Sequence, residues 1–596
     1  MELPAANRRH NAAGCLRCSA GSGAAGAVPP EDVVRQALEQ ERTRLRLAAG
    51  LPEIRHFRRP QERPFVASER DRVTILVGGL TWKHEALFRA VFQGNGYRCE
   101  TLPNPDVVSF ELGKQHGNHG QCNPAYFTIG SLIQFLRKLE SQGMSRQEII
   151  DRYVLFTAGS CGPCRFGMYE AEYRYALRNA GFEGFRVLLF QQTDGIFAAT
   201  GEPGLKFTVN FGMGMLNALM LGDVMHDVIY QIRPFETKPG EADRVFKEAM
   251  DGLCTTLRDR TPFEFMRDGP EWLTRRVADK PAIRNTLSVL LKIVDHLYGK
   301  EHREALAACC DRLDSIEVDR TRVKPVVKIT GEFWAQTTEG DGNFRMFEFL
   351  EQEGAQVLVE PVSTWVAYMV HLARLDIATR ARLGVKVSRK NALLLDATEA
   401  LWAHLYHRVV AKLGGLAHRL APQDELARLA HPFYHRLTRG GEGYMEVGKN
   451  VYYSVNRLCH MVLALKPFGC MPSTQSDGVQ SAVTSRFPEM IFLPIETSGE
   501  GEANAHSRVH MALGEAKVRA RAEFEAVLKT TGKRLEDIQE YVSRHAELRR
   551  PLYVVPHRRG VAGTAAQFVL HVNDLINRER RFRWAVRGAE PHRQTI

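Results

Sequence analysis

Three short stretches of the chain place cysteine beside glycine and proline at the start of a helical pattern. They are "GQCNPAYFTIG", "GSCGPCRFGMYEAEYR" and "FGCMPSTQSDG", and they contain Cys122, Cys161 with Cys164, and Cys470. Proline in the first turn of a helix removes an N–H that has no partner there. The free N–H groups and the positive end of the helix dipole point at the cysteine, which lowers the thiol pKa and favours an anionic ligand set. The repeated pattern predicts that these thiols hold a metal or a cluster.

The number and spacing of these cysteines leave the kind of metal site open. Zinc prefers four nitrogen or sulfur ligands, usually in two close doublets. This region has one doublet, Cys161 with Cys164, and two distant single cysteines. An iron–sulfur cluster is held by cysteine thiolates whose spacing depends on the fold. The pattern therefore favours an iron–sulfur cluster, and zinc or purely structural thiols are the alternatives.

The remaining cysteines are predicted to be structural, with one case left open. Eleven cysteines in 596 residues are too dilute for a disulfide scaffold. Those inside strand or helical patterns are interpreted as small apolar core residues; they are Cys99, Cys254, Cys309, Cys310 and Cys459. Cys15 and Cys18 form a C-x-x-C pair in a Gly/Ala-rich leader, and their role stays open because no second doublet accompanies them.

The cysteine turns need strands and helices to position them, and the surrounding pattern predicts two α/β lobes. "RVTILVGG", "WKHEALFRAVFQGNG" and "YRCETLP" have the lengths and spacing of a βαβ unit with a parallel sheet. The same order returns in "KPVVKITGEFW", "FRMFEFLEQEG" and "AQVLVEPV". Each lobe has a cysteine turn after an apolar run, at the carboxyl edge where open α/β sheets bind ligands. Folding the lobes together is expected to bring Cys470 close to Cys122 and to the Cys161/Cys164 pair.

Composition and periodicity divide the chain into five predicted regions. They are a flexible leader with a polar helix and linker (1–68), a first α/β lobe with Cys-x-Pro turns (69–235), a helical connector (236–322), a second α/β lobe with a helical insertion and the Cys470 turn (323–525), and a helical, basic C-terminal tail (526–596).

Charge and hydropathy exclude several protein classes. The richest apolar stretch, "FGMGMLNALMLGDVMHDVIY", is interrupted by Asp223 and Asp227, so no membrane span is predicted. The N-terminus lacks the apolar core of a secretory signal, and a cytoplasmic location is expected. The net charge of +11 lies partly in basic ends, which are interpreted as solvated tails because no nucleic-acid-binding motif accompanies them.

Five stretches together carry a family resemblance. "GQCNPAYFTIG", "TAGSCGPCRFGMYEAEYR", "LLFQQ", "PFGCMPSTQSDG" and "IETSGEGEANAHSRVHMALGEAK" resemble the 2-hydroxyacyl-CoA dehydratase and activase-related proteins, in particular the iron–sulfur lobes of double-cubane cluster proteins. The likeness runs from about Arg72 to about Ala520. It implies flavodoxin-like domains, a low-potential cluster held between them by cysteines, and electron delivery from a separate ATP-hydrolysing activase.

The resemblance carries over to Cys122, Cys161, Cys164 and Cys470 as candidate ligands of a 4Fe-4S cluster. A double cubane would need more thiolates than these. The chain has no G-x-x-x-x-G-K-[ST] motif, so no ATP site of its own is predicted and a partner would hydrolyse the ATP.

A second group of candidates follows the apolar run "MIFLPIE". It comprises Glu500, Glu502, Asn504 and His506, a group that would bind substrate or form hydrogen bonds with cluster sulfurs. The acidic first turn of a helix explains these residue types nearly as well. No catalytic acid or base is assigned.

The sequence thus predicts an α/β protein with two flavodoxin-like parallel-sheet lobes and helical connector segments. The expected function is that of an iron–sulfur electron-transfer or reductase/dehydratase-like subunit. It would work with a separate ATP-hydrolysing activase or electron donor on a small or CoA-linked substrate. The alternative is a cluster-free binding or assembly subunit of a larger enzyme complex. Both homo- and hetero-oligomers are compatible with the sequence.

Overall fold

The computed structural model describes residues 30–49, 62–159, 164–191 and 204–588. The chain forms two compact units, Met1–Gln61 and Glu62–Ile596. The described part of the first unit is a single polar helix, α1 (Pro30–Ala48). The second unit contains both predicted lobes. Cys15, Cys18 and Cys161 lie outside the described residues.

The first lobe is built on a four-stranded, all-parallel sheet in the order β2-β1-β3-β4. The central strand β1 is buried along its whole length, as expected of a parallel strand covered on both faces. The elements in chain order are β1 (Thr74–Val77), α2 (Trp82–Gly94), β2 (Arg98–Thr101), α3 (Val107–His116), α4 (Asn123–Ser141), α5 (Arg146–Arg152), β3 (Tyr153–Gly159), α6 (Tyr169–Asn179) and β4 (Arg186–Gln191).

The second lobe repeats this topology, with four parallel strands in the order β6-β5-β7-β8. A helical insertion separates its second and third strands. The elements are β5 (Val326–Gly331), α13 (Phe333–Thr337), α14 (Met346–Gln352), β6 (Gln356–Leu358), α15 (Val362–Arg382), α16 (Arg389–Lys412), α17 (Gln423–Ala430), α18 (Met445–Val455), β7 (Met461–Pro467), α19 (Met471–Arg486) and β8 (Phe492–Thr497). The prediction of two flavodoxin-like parallel-sheet lobes is confirmed, because both sheets follow the 2-1-3-4 strand order of that fold.

Helices connect the lobes and complete the second unit. The connecting helices are α7 (Val209–Ile232), α8 (Glu241–Asp259), α9 (Phe265–Asp268), α10 (Glu271–Val277), α11 (Pro281–Tyr298) and α12 (Lys300–Leu313). Three more follow the second sheet, namely α20 (Glu502–Thr531), α21 (Leu535–Arg544) and α22 (Thr564–Gly588). Helix α20 runs without a break through residue 525, where the sequence placed a domain boundary.

The apolar helix α7 is buried between the two lobes. It packs against α2 of the first lobe and against β6 and α15 of the second. Its two aspartates are buried and paired: Asp223 accepts the Val362 and Ser363 N–H groups at 2.6 and 2.8 Å, and Asp227 contacts the His418 imidazole at 2.8 Å. The most hydrophobic stretch of the chain is therefore a shared core helix. Among the described residues, no helix combines the length and apolar character that a membrane span requires.

The carboxyl edges of the two sheets meet at the interface between the lobes. The Val107 N–H at the start of α3 donates to Asp341 Oδ2 at 3.0 Å, and Lys83 at the start of α2 pairs with Glu339. Phe127 of α4 stacks on Trp334 of α13, with ring centroids 5.5 Å apart. Residues that follow parallel strands in both lobes are thereby brought to one interface.

Candidate functional site

Three of the predicted cysteines lie at the N-terminal ends of helices. Cys122 is the N-cap of α4, Cys470 is the N-cap of α19, and Cys164 precedes the short 3-10 helix Arg165–Met168. In α4 and α19 a proline occupies the first helical turn, as the sequence pattern predicts. Each thiol is therefore attached where backbone N–H groups lack helical partners.

The Cys122 turn of the first lobe contacts the Cys470 turn of the second. The Asn123 N–H donates to the Phe468 carbonyl at 3.2 Å, and the Asn123 side chain donates to the Thr497 carbonyl at 2.6 Å. Gly469 approaches so closely that a Cβ added to it would lie 3.5 Å from Cys122 Cα. The first-lobe turn therefore docks on the carboxyl ends of β7 and β8.

Cys122 reaches this position by a route that the sequence did not predict. Its turn follows helix α3, not a strand, so it is held by side chains instead of by the first sheet. Glu172 of α6 is 3% exposed and accepts hydrogen bonds from the side chains of Asn118 and Gln121 at 2.7 and 3.0 Å. The Gln121 N–H donates to the Tyr126 hydroxyl at 3.0 Å. These contacts fix the loop that presents Cys122 to the second lobe.

Cys164 lies at the carboxyl edge of the first sheet, after strand β3, as the sequence predicts. Burial raises the pKa of Cys164, and Cys122 contributes to that rise. Burial also raises the pKa of Tyr169, with contributions from both thiols, so the three groups are neighbours. The Tyr169 hydroxyl lies 3.2 Å from Cys122 Sγ. Cys161, the fourth predicted ligand, precedes Cys164 by three positions in the sequence and lies outside the described residues.

Besides burial, two carboxylates of the second lobe, half-buried Glu332 and buried Glu446, raise the pKa of Cys470, and sequence reasoning missed both. Glu332 follows β5 and accepts the N–H groups of Trp334 and Ala335, each at 3.0 Å. Burial nevertheless raises the pKa of Glu332 to about 7. Glu446 accepts the Ser473 hydroxyl at 2.6 Å, in the first turn after Cys470. The Gly-Glu pair directly after the apolar run of β5 was the available sequence signal for Glu332.

The expectation of lowered thiol pKa values is wrong for the free thiols. Burial raises the pKa of Cys122 and Cys470, and it raises the pKa of Cys164 to about 12. The Glu332 charge adds to this rise in all three. Desolvation by the two lobes thus outweighs the helix N-termini, and the thiols are protonated at neutral pH. A metal or cluster would have to displace their protons on binding.

The thiols fit an iron–sulfur cluster by chemical type, but the described ones do not form a closed site. Every cysteine that the structure describes is a free thiol. Within those residues, no group of three or more His, Cys, Asp or Glu side chains lies close enough to hold one metal ion. A single cubane takes four thiolates. Cluster binding would therefore require Cys161 as the fourth ligand and a closer approach of the three described thiols to one another.

The second group of candidates lies outside the cysteine cluster. Glu500 is 73% exposed on its side chain and pairs with Lys114 at 3.4 Å. Glu502 and Asn504 are exposed in the first turn of α20. His506 stacks on Phe349 at a centroid distance of 4.0 Å and hydrogen-bonds through Nε2 to a backbone carbonyl at 2.8 Å. His506 thus contributes to packing within the second lobe.

The cysteines interpreted as structural lie in ordinary packing positions. Cys99 is buried in β2, and Cys309 on α12 is buried with its sulfur 3.8 Å from Met225 Sδ. Cys254 and Cys310 are half-buried on α8 and α12, and Cys459 is half-buried just before β7. None of these residues approaches the interface that contains Cys122 and Cys470 closely enough to form a metal-binding group in the described chain.

The chain matches no protein-family model and no curated protein.

Proposed function

We propose that the protein is an iron–sulfur electron-transfer or reductase/dehydratase-like subunit whose cluster binds where the two lobes meet. The observation that carries this proposal is the contact between the Cys122 turn and the Cys470 turn. It brings a thiol from each lobe to one interface, beside Cys164.

Cys122, Cys164 and Cys470 would supply three thiolates of a 4Fe-4S cluster, and Cys161 the fourth. Such a cluster accepts and donates single electrons at a potential set by its net charge, hydrogen bonds and burial. The surroundings favour a low potential, because the carboxyl groups of Glu332 and Glu446 lie near the thiols and carboxylates disfavour added negative charge.

The remaining elements of the proposal rest on the family resemblance. A separate ATP-hydrolysing activase would supply electrons, and the acceptor would be a small or CoA-linked substrate that is reduced or reductively dehydrated. The protein would work in the cytoplasm, where reducing conditions keep such thiols free. The absence of a P-loop motif is in keeping with a partner that hydrolyses the ATP.

A second candidate function is a cluster-free binding or assembly subunit with the same two-lobed fold. The observation that favours it is that the described thiols form no closed metal-binding group. In that case the raised pKa values of the cysteines are the ordinary consequence of burying small apolar residues at a domain interface.

Anaerobic reconstitution of the full chain with iron and sulfide separates these functions. The electron-transfer proposal expects brown protein with broad absorption in the blue, and stoichiometric iron and acid-labile sulfide after desalting. A low-potential signal should appear on reduction in electron paramagnetic resonance. Colourless protein without acid-labile sulfide would favour the cluster-free subunit. Zinc retained in place of iron would indicate a structural zinc site.

A further inference from the structure

The amino edge of the first sheet has an arginine at the start of every strand. Arg98 and Arg186 are the first residues of β2 and β4, Arg152 directly precedes β3, and Arg72 lies two residues before β1. Because the four strands are parallel neighbours, their amino ends lie side by side at one edge. This edge is opposite the cysteine interface, and the six residue steps of β3 separate the two by about 20 Å.

The second sheet has the same topology without this row. At the matching places before and at the start of its strands, Lys324 and His460 are the only basic residues, and no arginine occurs. Helix C-termini with their partial negative charge gather at the amino edge of any such lobe. Because the second lobe has the same topology and no arginine at this edge, the helix C-termini by themselves do not account for the arginines of the first lobe.

A cleft of about 470 Å³ opens at this edge. The described residues that line it are all charged, namely Arg63, Arg72, Arg98, Asp151 and Arg152. Pockets of roughly 300 to 1,000 Å³ accommodate small molecules. Because the described lining residues include no apolar side chain, the ligand that they match is itself composed of charged groups.

The ion pairs of the cleft leave an excess of positive charge. Buried Arg186 donates to Glu69 at 3.0 Å, Arg63 reaches Glu69 at 2.9 Å and Asp151 at 3.3 Å, Arg72 lies 3.6 Å from Glu69, and Arg152 pairs with Glu148 at 3.0 Å. Five arginines including Arg72 and Arg98 thus face three carboxylates, Glu69, Asp151 and Glu148, which leaves a net charge of +2. Arg98 is exposed and has no ion-pair or hydrogen-bond partner among the described residues.

We infer that this cleft is a second ligand site, which binds an oligophosphate group. Guanidinium groups donate paired hydrogen bonds in a planar fork that matches phosphate oxygens. A diphosphate or triphosphate carries enough negative charge to neutralise this excess. The ligand is a free inorganic oligophosphate or the phosphate chain of a nucleotide. This inference does not depend on the cysteine interface or on the proposed electron transfer.

Calorimetric titration of the full chain at low ionic strength tests the site, with pyrophosphate, inorganic triphosphate and ATP as the three probes. Pyrophosphate and triphosphate should bind, with affinities that fall as NaCl is added. ATP should bind about as tightly as triphosphate, because the described lining residues include no apolar side chain to cover a base. A charge reversal at Arg98, Arg98→Glu, should weaken triphosphate binding by about tenfold or more.

The matched control is Arg382→Glu at the end of α15, which is also exposed and without a partner among the described residues. It should leave triphosphate affinity unchanged within about twofold, since Arg382 belongs to the second lobe and is not among the residues that line the cleft. Arg98→Glu removes no ion pair, so its thermal melt should match that of the unaltered chain. If Arg98→Glu fails to fold, Arg98→Ala replaces it.

Several results would overturn the inference. They are no binding of either inorganic phosphate probe at millimolar concentration, equal loss of affinity in Arg98→Glu and Arg382→Glu, and binding of ATP without triphosphate. Tighter binding of a polyglutamate peptide than of triphosphate would also overturn it, because the cleft would then be a docking surface for an acidic protein segment.

Discussion

The central strands of the two sheets differ in what they bury. Strand β1 buries the run "TILV", whereas β5 buries a charged residue, Lys328, whose side chain is fully inaccessible. Lys328 pairs with Glu360 at 2.6 Å, and neighbouring Lys449 pairs with Glu442 at 2.7 Å. The first lobe instead carries its excess charge in arginines at the open amino edge of its sheet.

This difference follows from what covers each sheet. The second lobe has a long helical insertion, and its helix α18 packs directly on β5 and β7. Charged residues in that layer must find partners inside the protein, because an unpaired buried charge is strongly destabilising. At the amino edge of the first lobe, Arg98 is exposed to solvent and has no ion-pair partner among the described residues, whereas the other arginines of the edge are paired with carboxylates. Two sheets with the same strand order thus differ in where their charged residues lie. Charged residues are buried in ion pairs where helices cover the sheet, and they lie at the edge where it is open to solvent.

The carboxyl edges of the lobes are more alike than their cores. Glu85 in the first turn of α2 accepts the Leu80 N–H at 3.1 Å, and Glu332, the N-cap of α13 directly after β5, accepts the Trp334 N–H at 3.0 Å. Burial raises the pKa of Glu85 to about 8 and that of Glu332 to about 7. Cys164 and Cys470 likewise follow equivalent strands, β3 and β7. The shared features lie where the lobes face each other.

The largest expected effect is loss of the cluster on substitution of a thiol from either lobe. Cys161→Ser, Cys164→Ser and Cys470→Ser should each abolish or convert the cluster, because one thiolate is missing from a small ligand set. Burying a hydroxyl in place of a thiol should cost stability only about 1 to 2 kcal/mol. The measurement is iron and sulfide per chain, beside a thermal melt of each variant.

The matched controls are Cys309→Ser and Cys310→Ser on α12, which should keep full iron content. Full iron occupancy in both Cys161→Ser and Cys470→Ser would show that the thiols of the two lobes are structural. It would also remove the functional likeness between the carboxyl edges.

The next effect probes the buried charges of the second lobe. Lys449→Met should lower the free energy of unfolding by about 3 to 5 kcal/mol, because it leaves the Glu442 carboxylate buried without its cation. Adding Glu442→Gln should restore much of this loss, since an uncharged amide needs no counter-ion. Guanidinium-induced unfolding followed by tryptophan fluorescence measures both variants.

The exposed pair of Arg275 with Glu271 serves as the comparison for Lys449, since both side chains are more than three-quarters accessible. Arg275→Met should leave the unfolding curve unchanged, as is usual for surface pairs. Equal effects of Lys449→Met and Arg275→Met would contradict the assignment of a buried network to the second lobe.

A smaller effect concerns the pH dependence of Glu85. Its pKa in the folded chain, about 8, lies above the ordinary value of 4.5, so the folded state holds this proton more tightly than the unfolded state. The stabilisation is therefore complete below about pH 4.5 and is lost as the pH rises through 8. Between these values the group lowers the free energy of unfolding by about 1.4 kcal/mol for each pH unit.

Glu85→Gln should remove this slope, because the amide oxygen still accepts the Leu80 N–H but does not ionise. Unfolding free energies of both proteins from pH 5 to 8.5 should diverge, with the variant becoming the more stable at the alkaline end. Parallel curves would mean that Glu85 is solvated, and the likeness with Glu332 would fail.

The smallest effect tests the contact between the lobes at Gly469. This residue has φ +74°, and a Cβ there would lie 3.3 Å from the Gln121 carbonyl oxygen of the first lobe. Gly469→Ala should destabilise the protein by about 1 to 2 kcal/mol, because the left-handed conformation is costly for alanine. It should also lower the iron content on reconstitution, since the Cys122 and Cys470 turns are pushed apart.

The control for Gly469 is Gly514→Ala on exposed α20, where an added Cβ meets nothing within 4 Å. Alanine there should raise stability by about 0.5 to 1 kcal/mol through higher helix propensity. A stabilising Gly469→Ala would show that the turn is not constrained by the opposite lobe.

The sequence by itself determined the local structure of both lobes. Apolar runs alternating with helical periods predicted two parallel sheets, and Gly-Cys-x-Pro patterns predicted helix N-termini at Cys122 and Cys470. Three of the four cysteine positions were expected at a carboxyl edge because a turn after a parallel strand can lie nowhere else. These features depend on residues within a few positions of one another, which makes them readable from pattern.

Only the tertiary structure decided how these parts meet and how their chemistry is tuned. The contact of Asn123 with Thr497 joins residues 374 positions apart. No local pattern encodes such a contact, because it depends on how every intervening element packs. The same packing buries Glu332 and the thiols and so reverses the pKa shift that helix N-termini alone predict. It also turns the aspartates of α7 into buried hydrogen-bond acceptors, since burial and pairing are properties of the assembled lobes and not of the residue sequence.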